Sequence, residues 1–172
     1  MFAIDHVIFE EPLRELQDIC LSHQFLMATA ESCTGGLLSA LLTHRPGSSG
    51  FFLGGVNAYA NSIKSRVLGV PDETLKRFGA VSTETASSLA SAVQRLFQSH
   101  FSCSITGVAG PGGGSPEKPV GLVCFGWSTP DGTTVQALQL PGSREEIRAA
   151  SCHVALLGLL QRVQAYAHKE VL

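Results

Sequence analysis

Apolar residues recur with two different periods along this chain, and the alternation between them outlines a fold. Over residues 11–23, Leu13, Leu16, Ile19, Cys20 and His23 fall near one helical face, with Pro12 near the start. Residues 25–30 are short and apolar and predict a buried strand. Glu31-Ser32-Cys33-Thr34-Gly35-Gly36 follows, and Leu37–Leu42 predicts a helix. After the turn Arg45–Gly50, Phe51–Ala60 predicts a second strand, weakened by Gly54-Gly55. Residues 62–69 predict a short helix ending at Gly69. Another starts at Pro71-Asp72 and ends at Gly79. Ser82 is placed to cap a long helix over 83–98. A strand over Ser102–Thr106 comes next. Val120–Ser128 and Thr133–Leu140 flank Thr129-Pro130-Asp131-Gly132 and predict a hairpin. Ser143 and Glu146 form a capping box. It opens a final helix with Ile147, Ala150, Val154, Leu157 and Gln161 in register. Strands and helices intermix around one hairpin, which predicts an α/β sandwich with a mixed sheet.

One segment has neither period. Residues 104–121 hold six glycines and three prolines between two apolar runs. Helices and strands do not tolerate that density of breakers, so this is a long loop. Glycine lets backbone approach a ligand, and bare N–H groups can bind an anion. Proline restricts the loop before any ligand arrives, which argues against a flexible surface excursion.

Composition narrows the class. The 172 residues are 44% hydrophobic and 15% charged, enough for one domain with a sizeable core. A net charge of −2 gives no electrostatic case for nucleic acid or an anionic membrane. No apolar run has transmembrane length. Asp5, Glu10 and Glu11 stand where a signal peptide would carry basic residues. Five scattered cysteines predict reduced thiols and a cytoplasmic protein. No CxxC or HxxxH spacing occurs, so no metal site and no cofactor are expected.

Several residues are placed for chemistry. Ser32 lies where a buried strand turns into a helix, with free first-turn N–H groups expected around it for an oxyanion or phosphate. An N-cap role for Ser32 or Thr34 fits the spacing equally well. Cys33 at a helix start would gain thiolate character, but no histidine stands in an obvious catalytic context, and a small buried side chain is the simpler reading. Tyr59 and Lys64 follow the second strand and can meet Ser32 at the carboxyl edge of the sheet. There a desolvated lysine can act as a base and a tyrosine can relay its proton. The alternative is a solvated lysine on a surface helix. Arg144 and Arg148, one turn apart, fit either a phosphate clamp or a solvated helix face.

Taken in order, the stretches Ala30–Gly36, Pro46–Ser49, Gly54-Gly55-Val56, Tyr59-x-Asn61-x-x-Lys64, Leu68–Pro71, Gly79–Ser82, Thr106–Gly121 and Pro141–Glu145 resemble the CinA C-terminal domain family. Enzymatic members of that family are nicotinamide-nucleotide amidases. The resemblance spans roughly residues 10–165. It implies a three-layer α/β/α sandwich with a mixed, mostly parallel sheet, in a single domain over 1–172. It implies hydrolysis of nicotinamide mononucleotide to nicotinate mononucleotide and ammonia, with no metal. Ser32 matches the nucleophile position, and Tyr59 and Lys64 the positions of proton handling. Cys33, Thr34, Gly35, Gly36, Asn61, Thr106, Gly107, Gly110, Gly112, Gly113 and Arg144 are expected around a pyridine mononucleotide. Ala60 departs from the serine many relatives carry there. Longer members add an N-terminal domain associated with nucleotide pyrophosphatase activity, which is not expected of these residues. Two other readings stay open: a nucleotide-binding module without turnover, and a structural role with the last helix as the face of a homo-oligomer.

Overall fold

The structure, a computed structural model, describes residues 7–170. Asp5 lies outside them. Five strands form one sheet in the order β2-β1-β3-β4-β5: β1 Met27–Glu31, β2 Phe52–Asn57, β3 Phe101–Gly107, β4 Leu122–Thr129 and β5 Gly132–Gln139. β1 pairs in parallel with both β2 and β3, while β3–β4 and β4–β5 are antiparallel. Four strands therefore point one way and β4 alone points back. The predicted hairpin is β4–β5, closed by the Thr129–Gly132 pair.

Side-chain alternation builds the layers. Phe101, Cys103 and Ile105 of β3 and Val123, Phe125 and Trp127 of β4 face one side. They pack against α1 (Val7–His23), α2 (Leu37–Leu42) and α6 (Arg144–Glu170). The opposite face is lined by small residues. Ala28 and Ala30 pack on Leu89, Ala92 and Val93 of α5 (Thr83–Phe97). Ser102 Oγ donates to Ala90 O at 2.7 Å, and Ser104 Oγ to Ala86 O at 2.6 Å. A Cβ on Gly126 would stand 2.5 Å from Ala86 O. Small side chains thus let α5 lie close on the sheet, and the buried hydroxyls are satisfied by its carbonyls. Two short helices, α3 (Asn61–Arg66) and α4 (Asp72–Phe78), complete that layer.

Local chemistry explains the element ends. Ser82 caps α5, accepting from Thr85 N at 3.1 Å. The capping box on α6 is closed by Ser143 N donating to Glu146 at 2.7 Å. Gly54-Gly55 coincides with a register shift in the β1–β2 pairing, so the second strand is shorter and bulged.

Two expectations are corrected. α1 starts at Val7 and carries Pro12 inside it, because Phe9 extends the buried stripe of Leu13, Leu16 and Cys20 upstream. In α6 the buried stripe runs through Ile147, Cys152, Ala155, Leu156, Leu159, Leu160 and Val163. Leu157 and Gln161 are exposed, and Ala150 and Val154 are half-buried. A 27-residue helix lying along both α1 and the sheet buries a wider face than one period-matched row. No described helix is long and apolar enough to cross a membrane.

Candidate active site

β1, β2 and β3 are mutually parallel, so their carboxyl ends share one edge of the sheet, where α/β folds place ligands. A cleft of about 290 Å³ lies there. Ser32 and Cys33 enter it from just after β1, Tyr59, Asn61 and Lys64 from beyond β2, Thr106 and Gly107 from the end of β3, and Val108 and Ala109 from the loop that follows it. Gly112 and Gly113 of the long loop and Arg144 at the start of α6 complete the wall, with Ala80 and Val81.

Its floor is a serine and a lysine. Lys64 is 1% exposed and Ser32 8%. Lys64 Nζ lies 3.1 Å from Ser32 Oγ, 2.6 Å from Ala58 O and 3.1 Å from Tyr59 O. The lysine is reached because α3 begins two residues after Tyr59, with Ala60 as its N-cap, and turns its side chain back under the strand end. Burial lowers the pKa of Lys64 from its ordinary 10.5. Tyr59 meets Lys64 through its main-chain carbonyl, and the residue is 64% exposed at the mouth of the cleft.

Cys33 is buried, and burial pushes its thiol up to about 11. A thiol held protonated at neutral pH is a poor nucleophile, which leaves Ser32 as the candidate. All five cysteines are free and buried. Among the described residues no group of three or more metal-ligating side chains gathers.

Thr34, Gly35, Gly36 and Gly110, expected around the substrate, do not line the cleft. They build its supports. Gly110 O accepts from the Arg144 guanidinium at 2.8 Å, and Thr34 O from Arg148 at 2.8 Å. Arg148 thus holds the turn after β1 from below and does not line the cleft beside Arg144. The first-turn amides of α2 are also not open to a ligand. Gly36 N, Leu38 N and Ser39 N donate to the Glu31 carboxylate at 3.0, 3.1 and 2.8 Å, and Ser39 Oγ donates at 2.7 Å. Gly35 N and Leu37 N donate to Ser32 O and Thr34 O. Of the turn, the N–H groups of Cys33 and Thr34 are given to no other residue among those described; that of Cys33 meets its own thiol at the cleft, and Thr34 is fully buried. Sequence reasoning gave Glu31 no role. Its only signal was a lone acid ending an apolar strand, a position that is buried if the strand is central.

The long loop is firmly anchored. Val108 N donates to Leu122 O and Gly121 N to Val108 O. Ser115 and Lys118 close a small turn, with Ser115 Oγ donating to Glu117. Lys118 Nζ donates to Phe78 O at the end of α4. The Glu117-Lys118 pair, unexplained in the sequence, therefore ties the loop to the opposite layer. Thr106 Oγ1 donates to Ala80 O at 2.7 Å, so its hydroxyl is already engaged in joining β3 to that layer.

The model of the CinA C-terminal domain matches residues 10–163. This chain belongs to that family. A CinA-like protein of Leptospira biflexa is 42% identical over 159 residues, covering 92% of this chain and 38% of the relative. A CinA-like protein of Mycobacterium marinum is 49% identical over 131 residues, covering 76% and 31%. The chain spans between 36% and 38% of the length of the first curated relatives it matches. Among solved structures, the competence/damage inducible protein CihA of Agrobacterium tumefaciens superposes with a TM-score of 0.88 at 39% identity, covering 90% of this chain and 94% of that one. A CinA superfamily protein of Escherichia coli gives 0.86 at 30% identity, with 90% of each chain covered. The mixed sheet between helical layers is thus the fold of CinA proteins.

Proposed function

We propose that this chain is an amidohydrolase of pyridine mononucleotides, with Ser32 as nucleophile and Lys64 as its base, releasing ammonia from nicotinamide mononucleotide. The observation that carries the reading is the buried Ser32–Lys64 contact. A neutral lysine has two N–H donors and one lone pair. Ala58 O and Tyr59 O take the two donors, and the lone pair is left for the Ser32 hydroxyl. In its protonated form the same three partners accept three N–H groups. Lys64 can therefore take up and give back a proton without moving.

The steps follow from that arrangement. Ser32 Oγ attacks the carboxamide carbon as its proton passes to Lys64 Nζ. The N–H of Cys33, which enters the cleft directly after the nucleophile, supplies an oxyanion donor contributing on the order of 3 kcal/mol to the transition state. Protonated Lys64 gives its proton to the amide nitrogen, the C–N bond breaks, and ammonia leaves. Water then attacks the acyl-serine, its proton passing to Lys64 and on to Ser32 Oγ. Nicotinate mononucleotide is released. Arg144, held by Gly110 O, keeps guanidinium N–H groups for the phosphate. Gly112 and Gly113, where an added Cβ would meet nothing within 4 Å, leave room beside it. The Tyr59 ring offers a stacking face for the pyridinium.

The test is ammonia release from nicotinamide mononucleotide by the wild type and by Ser32→Ala. Ser32→Ala should lose at least ~10³-fold in kcat with an unchanged Tm. Turnover near the wild-type rate in a folded Ser32→Ala would refute the assignment. Tight nucleotide binding by the wild type with no ammonia formed would favour a binding module instead.

A further inference from the structure

We infer that Glu31 is a positioning residue for the amidase site: its buried carboxylate sets the turn that carries Ser32 and Cys33 into the cleft. The inference rests on the proposed Ser32–Lys64 reaction and assigns a residue that this reaction did not use.

Glu31 is the last residue of β1, pinned between β2 and β3 by pairing with Asn57 and Ile105. It is 1% exposed. Its two oxygens accept four hydrogen bonds, three of them from the amides at the start of α2. A carboxyl group at such depth is accommodated only when donors meet its oxygens. The consequence is geometric. Strand β1 and helix α2 are tied by one side chain, so the residues between them must bulge outward as a tight turn. Ser32 N donates to Ile105 O at 2.9 Å and Gly35 N to Ser32 O at 3.1 Å, which fixes Ser32 from both sides. The turn requires left-handed backbone at Gly35 (φ 61°) and Gly36 (φ 95°).

The carboxylate also decides which amides are left for chemistry. It takes those of residues 36, 38 and 39, so the positive end of α2 already carries an anion supplied by the protein. A substrate anion has no place there. The N–H that enters the cleft from this turn without being given to another residue is that of Cys33, next to the nucleophile. The network reaches one step further: Ser39 Oγ, which donates to Glu31, lies 2.8 Å from Thr29 Oγ1. A Cβ on Gly55 of the neighbouring strand would stand 2.2 Å from Thr29 Oγ1 and 2.7 Å from Ser39 Oγ. Only glycine at position 55 leaves space for these hydroxyls.

The experiment compares wild type, Glu31→Gln and Ser39→Ala by ammonia release, by product affinity and by the rate at which a fluorophosphonate labels Ser32. Glu31→Gln keeps the shape but turns an NH₂ toward N–H donors. Its kcat and its labelling rate should both fall about 10²-fold, the scale of a misplacement near 1 Å. KM and the affinity for nicotinate mononucleotide should hold, because Arg144 and the long loop are untouched. The midpoint of the pH–rate profile should also hold, since the burial that lowers the Lys64 pKa and its bonds to Ala58 O and Tyr59 O are unchanged. Ser39→Ala, which leaves the carboxylate in place, covers the case in which Glu31→Gln does not fold, and should lose several-fold in both rates. Wild-type rates in a folded Glu31→Gln, or in Ser39→Ala when Glu31→Gln does not fold, would overturn the inference and leave the amidase reading standing. A wild type that labels but releases no ammonia would sink the amidase reading, while the labelling ratio would still decide on Glu31. A wild type that does neither would overturn both.

Discussion

The cleft is bordered by two glycine-rich segments, the turn 32–36 and the loop 108–121, and the two loop glycines that face it serve the opposite end from Gly36 of the turn. In the turn, a Cβ on Gly36 would stand 2.9 Å from the Asn57 amide, and the backbone there is left-handed. Glycine in this segment permits close packing, and its amide is bound to Glu31. In the loop, Gly110, Gly114 and Gly121 are packed against Val120 and Leu140 in the same way, but added Cβ atoms at the cleft-lining Gly112 and Gly113 would meet nothing. These two glycines leave open space along the cleft, and the loop is held by Arg144 of α6 and by its own Lys118, which reaches Phe78 O. A cluster of glycines is therefore no sign of a ligand by itself. What separates the two cases is whether the absent side chain would have met protein or solvent.

The comparison assigns chemistry to the turn side and substrate holding to the loop side, and the largest expected effect tests the first. Lys64→Met should lower kcat about 10²–10⁴-fold, the usual contribution of a positioned base. Normal ammonia release from that variant would move the chemistry away from Ser32 and break the division. The same lysine gives a pH signature. Between its lowered folded pKa and 10.5, the native state binds fewer protons than the unfolded state, so stability rises with pH across that window. At lower pH the cost of burying the charge is fully present. The rate should rise as the same proton leaves, with a midpoint below 10.5. The buried thiols, whose pKa values are raised, pull stability down with pH in the same range in both proteins, so the lysine slope is read from urea unfolding as the difference between wild type and Lys64→Met, and the rise of kcat/KM with pH should be absent from Lys64→Met.

Next in size is Gly36→Ala. Left-handed backbone and the Asn57 contact together should destabilise by about 1–3 kcal/mol. For a chain of this size each kcal/mol lowers Tm by roughly 2–4 °C. Lys118→Met removes the donor to Phe78 O and loosens the loop. The loss should be about 1 kcal/mol, with KM raised more than kcat is lowered. The smallest effect is Gly112→Ala, which should stay within ~0.5 kcal/mol of the wild type in stability while raising KM for the nucleotide. A stability loss at Gly112 matching that at Gly36 would erase the contrast.

Much of the fold was legible because its signals are local. Ser82, the Ser143–Glu146 box and the Thr129–Gly132 turn each mark an element end through a bond between near neighbours in sequence. The register of α6 was misread because the helix packs on α1 and the sheet at once, and no single row of apolar residues records two partners. In the site, Ser32 and Lys64 were legible through their motif, and the burial of Lys64 was not. Its depth depends on β2 and α3 folding back over the end of β1, which no spacing encodes. Glu31 was illegible for the same reason: its four donors all lie on residues 36–39, but only the strand position of β1 turns its side chain inward to meet them. The turn's glycines looked like ligand contacts because positive-φ backbone and ligand approach favour the same residue.

The absence of a methyl group at Gly55 has a reach its position conceals. Gly55 sits on an edge strand, half of it facing solvent, and lines no part of the cleft. A saturation scan ranked by distance to the nucleophile would file it among the tolerant surface sites. Its substitution would instead push through two hydroxyls onto the carboxylate that shapes the reactive turn. Fitness maps of this domain should therefore show an island of intolerance on the outer strand, traceable to hydroxyl crowding, with no ligand near it.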